Sequence, residues 1–174
     1  MKDDPIAVII PGEGFPGGPL LDLVTALEAH GLTPLVAAPG RGRWEGTAGS
    51  HVTAQAAIHE LEPAQLDAAI VLDGPGEALS RSRALADLLR ALHASGRVVC
   101  GVGHGVAALG AAGLLRDLEV AAESDATGRL LSFGAVPMRE PIAGAGGILT
   151  AVEGAVSELV AQVVDFRHVS APAP

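Results

Sequence analysis

The sequence predicts an α/β fold: a single-domain three-layer sandwich whose mostly parallel, doubly wound sheet carries helices on both faces. Three observations point there. Short apolar runs alternate with helical patterns from end to end, the signature of βαβ units joined by right-handed crossovers. Apolar residues make up 49 % of the chain, aromatics only 2 %, and Tyr is absent. Such a core must be packed from Ala, Val, Leu and Ile, as suits strands buried on both faces. The 174 residues suffice for one core without disulfide or metal, and no second domain is required.

The expected strands are IAVII (6–10), PLVAA (34–38), AAIVL (68–72), RVVCGV (97–102), LEVAA (118–122) and GILTA (147–151). Leu20, Leu21, Val24 and Leu27 recur at helical spacing before Gly31, and Leu85, Leu88, Leu89 and Leu92 do so before Gly96. Each glycine stands where a helix would stop. Val152, Val156, Leu159, Val160 and Val163 predict a last helix. Residues 40–63 are less regular: GRGRWEGTAGSHVTAQ suggests a small hairpin, IHELEPAQL a short turn or helix. The domain is expected over residues 1–166, with 167–174 as a flexible tail ending in APAP.

Charge and cysteine content narrow the function. A net charge of −9 and a pI near 5.0 oppose a phosphate-neutralising surface, so no nucleic-acid role is expected. The single cysteine, Cys100, excludes an internal disulfide framework and fits a reducing compartment. The opening MKDDPIAVII sets an acidic pair before a short apolar run, unlike a signal peptide, and no membrane span is expected. A cytoplasmic location follows as the expectation. His30, His51, His59, His93 and His168 show no metal-ligand spacing, so neither metal nor cofactor is expected.

Two glycine corners invite chemistry. The first, Gly12-Glu13-Gly14-Phe15-Pro16-Gly17, formally matches the dinucleotide fingerprint after the first strand. In the true fingerprint the helix begins within the motif and faces the pyrophosphate. Here Pro16, Gly17 and Gly18 postpone the helix to about Pro19, and the second strand ends VAAPGRGR without the ribose-binding acid, although Arg41 or Arg43 suits a 2′-phosphate. A plain loop with a helix start at Pro19 is the preferred reading.

The second corner, RVVCGVGHGVAALG (97–110), runs from a buried strand into a small-residue helix. It resembles the elbow of the PfpI-type intracellular protease family, also called the parkinsonism-associated deglycase superfamily, within the class I glutamine amidotransferase-like (flavodoxin-like) fold. LDAAIVLDG, ALEAHGLTPLVAAPG and GGILTAVEGAVSELVAQVV are similar to further segments of that family, so that nearly the whole chain is covered. By ungapped placement the family's nucleophilic cysteine falls on Gly103, and its acidic residue at the start of the first helix falls on Pro19. The resemblance thus implies a scaffold from which the thiol chemistry has been removed. It implies further that His104 is the histidine beside the nucleophile, and that the oxyanion-side Gly-Gly has become Asp73-Gly74.

Cys100 lies inside the apolar strand, where burial blocks access and raises the thiol pKa. The expected ligand site is the elbow itself, with Gly74, Gly103, His104, Gly105 and Glu13 around a small anionic metabolite held at a helix N-terminus. Glu77 follows the third strand on the same edge, and Trp44 is expected to cover the core or a dimer contact. The resemblance implies a homodimer. Three functions are open at this point: a pseudoenzyme binding a small anion, an active cysteine-independent glyoxalase, hydratase or deglycase using His104, and a structural or regulatory partner in stress response.

Overall fold

In the computed structural model, which describes residues 3–170, the elements follow in the order β1 (Ile6–Ile9), α1 (Gly17–Ala29), β2 (Pro34–Ala38), the hairpin β3 (Gly42–Glu45) and β4 (His51–Ala54), and β5 (Ala56–Ala57). Then come β6 (Ala68–Asp73), α2 (Arg83–Ala94), β7 (Val98–Gly103), α3 (Val106–Ala111), β8 (Glu119–Ala121) and α4 (Thr127–Ser132). The chain continues through β9 (Val136–Met138), β10 (Ile142–Ala145) and β11 (Ile148–Ala151) to α5 (Val156–Ser170). Seven strands form one sheet in the order β10-β11-β7-β6-β1-β2-β5. Its pairs are parallel except β10 with β11. The carboxyl ends of β1, β2, β6, β7 and β11 therefore share one edge.

The two-residue period of the strands sorts their side chains between two cores. Ile6, Val8, Ile70, Val98, Cys100 and Val102 face α1 and α5, where Leu23, Leu27, Leu159 and Val160 bury against them. Ala7, Ile9, Val71 and Val99 face the other way, toward Leu85, Leu89 and Leu92 of α2 and Leu109 of α3. Both faces of the sheet are covered, which is why its strands read as continuous apolar runs.

Several expectations need correction. LEVAA (118–122) is a strand, but β8 pairs with β9 in a separate two-stranded parallel ribbon. The short, half-exposed β10 and the two-residue β5 gave no apolar run to find. Helix α1 begins at Gly17 rather than Pro19, because Pro16 occupies the N-cap and Thr47 Oγ1 accepts the Gly17 amide at 3.1 Å. Pro19 then sits in the first turn, where its missing N–H is no loss. The buried face of α1 is Leu20, Leu23 and Leu27, whereas Leu21 is 67 % exposed. Val152 precedes the last helix, which begins at Val156. That helix continues to Ser170; of the tail expected over 167–174, residues 171–174 lie outside the described residues.

At the β7–α3 corner backbone packs directly on backbone. Gly105 has ordinary helical angles (φ −65°, ψ −19°), yet a Cβ there would run into the carbonyl oxygen of Val71 in β6. Glycine is required by backbone packed on backbone, not by conformation. Gly105→Ala is expected to destabilise the chain by about 1–3 kcal/mol or more, the usual cost of overpacking, measured as a lower urea midpoint at unchanged slope.

Candidate functional site at the β7–α3 corner

Strand β7 ends at Gly103 with φ +57°, a left-handed conformation that strains any residue with a Cβ. Its register partner across the sheet is Asp73, the last residue of β6. Cys100 does not reach this apex. It is wholly buried in the core facing α1 and α5, and burial pushes its thiol far above the usual range. Since the thiolate is the nucleophile, this sulfur is inert at neutral pH.

Side chains from three loops fill the space around Gly103. His104 Nε2 lies 3.1 Å from Asp125 Oδ2, so His104 has a carboxylate partner that its sequence surroundings did not reveal. In the neutral tautomer that donates Nε2–H to the carboxylate, Nδ1 carries the lone pair. That atom is buried without a hydrogen-bond partner. Glu153, from the loop after β11, lies over the glycine: a Cβ built on Gly103 would be 2.8 Å from Glu153 Cγ and 3.2 Å from Oε1. The Glu153 amide donates to Glu123 Oε1 at 2.8 Å, which brings a second carboxylate beside the first. Burial, then the neighbouring charges of Glu123 and Asp125, raise the Glu153 carboxyl above its ordinary value, with His104 opposing.

Asp73 is buried, and both its carboxylate oxygens are committed. Oδ1 accepts the Gly74 amide and Oδ2 the Leu79 amide, each at 2.8 Å. Burial still raises its pKa, since these two bonds only partly offset the desolvation. The bond to Gly74 also spends the donor expected to meet an anion. Gly105 is spent likewise: it is buried, and its amide donates to Val102 O at 2.9 Å. Helix α3 has just six residues, too few for a developed dipole. Glu13 is exposed on the loop after β1. Glu77 pairs with Arg129 at 3.3 Å, and the Arg129 guanidinium stacks 4.5 Å from the Phe133 ring centroid.

The structure therefore gathers Asp73, Gly74, Gly103 and His104 at one corner, leaves Gly105 to packing, and adds Glu123, Asp125 and Glu153. Glu153 follows β11 of the central sheet, and Glu123 and Asp125 lie in the loop after β8 of the separate ribbon; the place of Glu153 at a strand carboxyl end was the available signal. Open α/β sheets place ligands at that edge.

The first glycine corner is used internally. The Gly14 amide donates to Glu45 O at 2.8 Å and the Thr47 amide to Phe15 O at 2.9 Å, which ties the loop to the β3–β4 hairpin. Trp44 packs on Gly12, with Nε1 donating to Gly40 O at 2.9 Å. Thr47 and Ser50 cover the start of α1 at Gly17, where a pyrophosphate would have to sit. Trp44 thus covers this loop. Among the described residues, no group of three or more His, Cys, Asp or Glu side chains is arranged to hold a metal, and no helix is long and apolar enough to cross a membrane.

Two outcomes follow from the acids. Asp73→Ala leaves two amides without acceptors, one of them buried, and is expected to cost about 1–3 kcal/mol in urea unfolding. Glu153 holds its proton more tightly folded than unfolded, so its contribution to stability falls as pH rises through the window between its ordinary value and its raised one. Glu153→Gln is therefore expected to raise Tm relative to the parent at neutral pH, with the gain fading as the pH drops through the carboxylate range. A gain that persists at low pH would contradict this.

A family model described as the DJ-1/PfpI family matches residues 5–165. Among solved structures, a ThiJ/PfpI domain protein from Brachyspira murdochii superposes with a TM-score of 0.92 at 20 % identity, covering 98 % of this chain and 100 % of the other. Schizosaccharomyces pombe DJ-1 superposes at 0.81 with 14 % identity, covering 97 % and 100 %. A putative protease I from Bacteroides thetaiotaomicron does so at 0.79 with 15 % identity, covering 92 % and 98 %. At such identities the superpositions speak for the fold alone. No curated protein matches the sequence. With its central sheet, its β7–α3 corner and nearly its whole length accounted for by one family model, this chain belongs to the DJ-1/PfpI family.

Proposed function

We propose that this DJ-1/PfpI-family chain is a pseudoenzyme with respect to thiol chemistry, a scaffold whose elbow serves binding rather than covalent catalysis. The observation that carries this reading is the apex itself: Gly103 stands at positive φ with Glu153 over it. The one thiol of the sequence is sealed in the core. Helix α1 has no acidic residue in its first turn, in keeping with the loss of the carboxyl that the family resemblance places there.

The local charges favour an uncharged or cationic ligand over the small anionic metabolite expected from sequence. Glu153, Glu123 and Asp125 crowd the corner, while the Gly74 and Gly105 amides are occupied. An anion approaching a partly desolvated carboxylate meets repulsion that little water screens.

The His104–Asp125 pair favours a second reading, cysteine-independent acid–base catalysis of the glyoxalase or hydratase kind. A carboxylate-oriented imidazole is the usual arrangement of a general base. The lone pair left on Nδ1, however, is buried, so a substrate has no path to it without movement of the corner. The first reading stands.

The discriminating experiment assays the purified, unmodified chain for methylglyoxal turnover beside His104→Ala and Asp125→Asn. No turnover above the buffer rate is expected in any of the three. Turnover in the parent that disappears in His104→Ala would overturn the pseudoenzyme reading in favour of the second.

A further inference from the structure

We propose that Glu153 is an internal lock on the elbow: its side chain occupies the place of a side chain at position 103, so that Gly103 and Glu153 form a matched pair. This rests on the reading that position 103 has lost the family's thiol. It goes further by saying what took the vacated space and what keeps the thiol from being restored by one substitution.

The geometry shows why the pair is coupled. The close approach to a Cβ at 103 is made by Glu153 Cγ, at 2.8 Å, an atom near the root of the side chain rather than its free end. Rotation about the outer bonds of Glu153 does not relieve it. The backbone beneath cannot simply withdraw, because the Glu153 amide is held by Glu123 Oε1 at 2.8 Å and Ala155, two residues on, is buried against the core facing α5. Relief requires the whole Glu153 side chain to leave its present rotamer, in a corner where Glu123 and Asp125 already place negative charge beside it. On the other side, Gly103 is fixed by its strand register with Asp73, whose two oxygens are bonded in turn. Both backbones are thus anchored, and the side chain of Glu153 is the part that must move to admit a larger residue at 103.

A larger residue at 103 therefore meets two obstacles of different kind. One is conformational, the positive φ, and persists whatever stands at 153. The other is the Glu153 side chain, and it is removable. Only the second predicts that the effect of a substitution at 103 depends on residue 153, as contacting residues do and distant ones do not.

The test is a double-mutant cycle on the full chain. Gly103→Ala and Glu153→Ala are made singly and together, and the folded-to-unfolded ratio is read from urea unfolding. A parallel arm compares Gly103→Cys with Gly103→Cys/Glu153→Ala by their rates of alkylation with iodoacetamide under native conditions, Cys100 being buried in both. The lock predicts that Gly103→Ala lowers the ratio about tenfold more in the parent than in the Glu153→Ala background, a coupling typical of residues in contact. It also predicts that the introduced thiol is alkylated faster once Glu153 is removed. A Gly103→Cys chain that folds only with Glu153→Ala supports the lock as well. Equal penalties and equal alkylation rates in the two backgrounds overturn it, as does failure of Gly103→Cys to fold in both, since φ alone then accounts for the glycine. The cycle reads stability and thiol access, not turnover, so it stands or falls apart from the methylglyoxal assay.

Discussion

The contact on which the molecule's one distinctive corner depends is between two pieces of backbone. Gly105 sits against the carbonyl of Val71 with no room for a methyl group between them. This approach lets α3 rise from β7 directly over β6, which in turn sets Gly103 and Asp73 side by side at the carboxyl edge of the sheet. A looser crossing would move His104 away from Asp125 and the end of β7 away from Glu153. The arrangement at the elbow is thus inherited from a packing requirement two residues beyond it, which explains how the corner keeps its shape when it carries no nucleophile.

Electrostatics then decide what such a corner is suited to. In many α/β proteins the strand-to-helix corner offers unspent amides to a negative group. Here the amides of Gly74 and Gly105 are paired internally, α3 is short, and the groups facing the apex are carboxylates, of which Glu153 is raised by burial and by the charges of Glu123 and Asp125. The same edge that offers phosphate binding elsewhere has become acidic, in a chain whose overall charge is −9. The single imidazole among these acids is tied to Asp125, with its other nitrogen out of reach of solvent.

Much of the fold was legible in the sequence because it rests on periodicity. The runs at 34–38 and 68–72 became β2 and β6 with at most a one-residue change, and Leu85, Leu88, Leu89 and Leu92 are the buried face of α2. What escaped had no such signal. Three of the four residues of β10 are Ala or Gly and half of it is exposed, and Leu21 reads as core although α1 turns it outward. At the corner, Gly103 and His104 stand out in the sequence because they adjoin each other in one glycine-rich strand-to-helix segment, and Gly74 because LDAAIVLDG resembles a family segment. Asp125 and Glu153 come from loops 21 and 50 residues further along the chain than His104 and Gly103, and only the closing of the sheet brings them in. The pairing of the Gly74 and Gly105 amides could not be read from the sequence for a local reason: a glycine's amide is open to a ligand only if no nearer acceptor claims it, and here Asp73 and Val102 do.

The most direct test of a self-occupied, thiol-free elbow is a crystal structure at a resolution that fixes side-chain positions. It should show Gly103 at positive φ with continuous density for Glu153 folded over it, Glu123 on the Glu153 amide, and an unmodified Cys100 inside the core. Density for Glu153 turned out into solvent with an open cleft above Gly103, or for Cys100 exposed at the apex, would contradict the account.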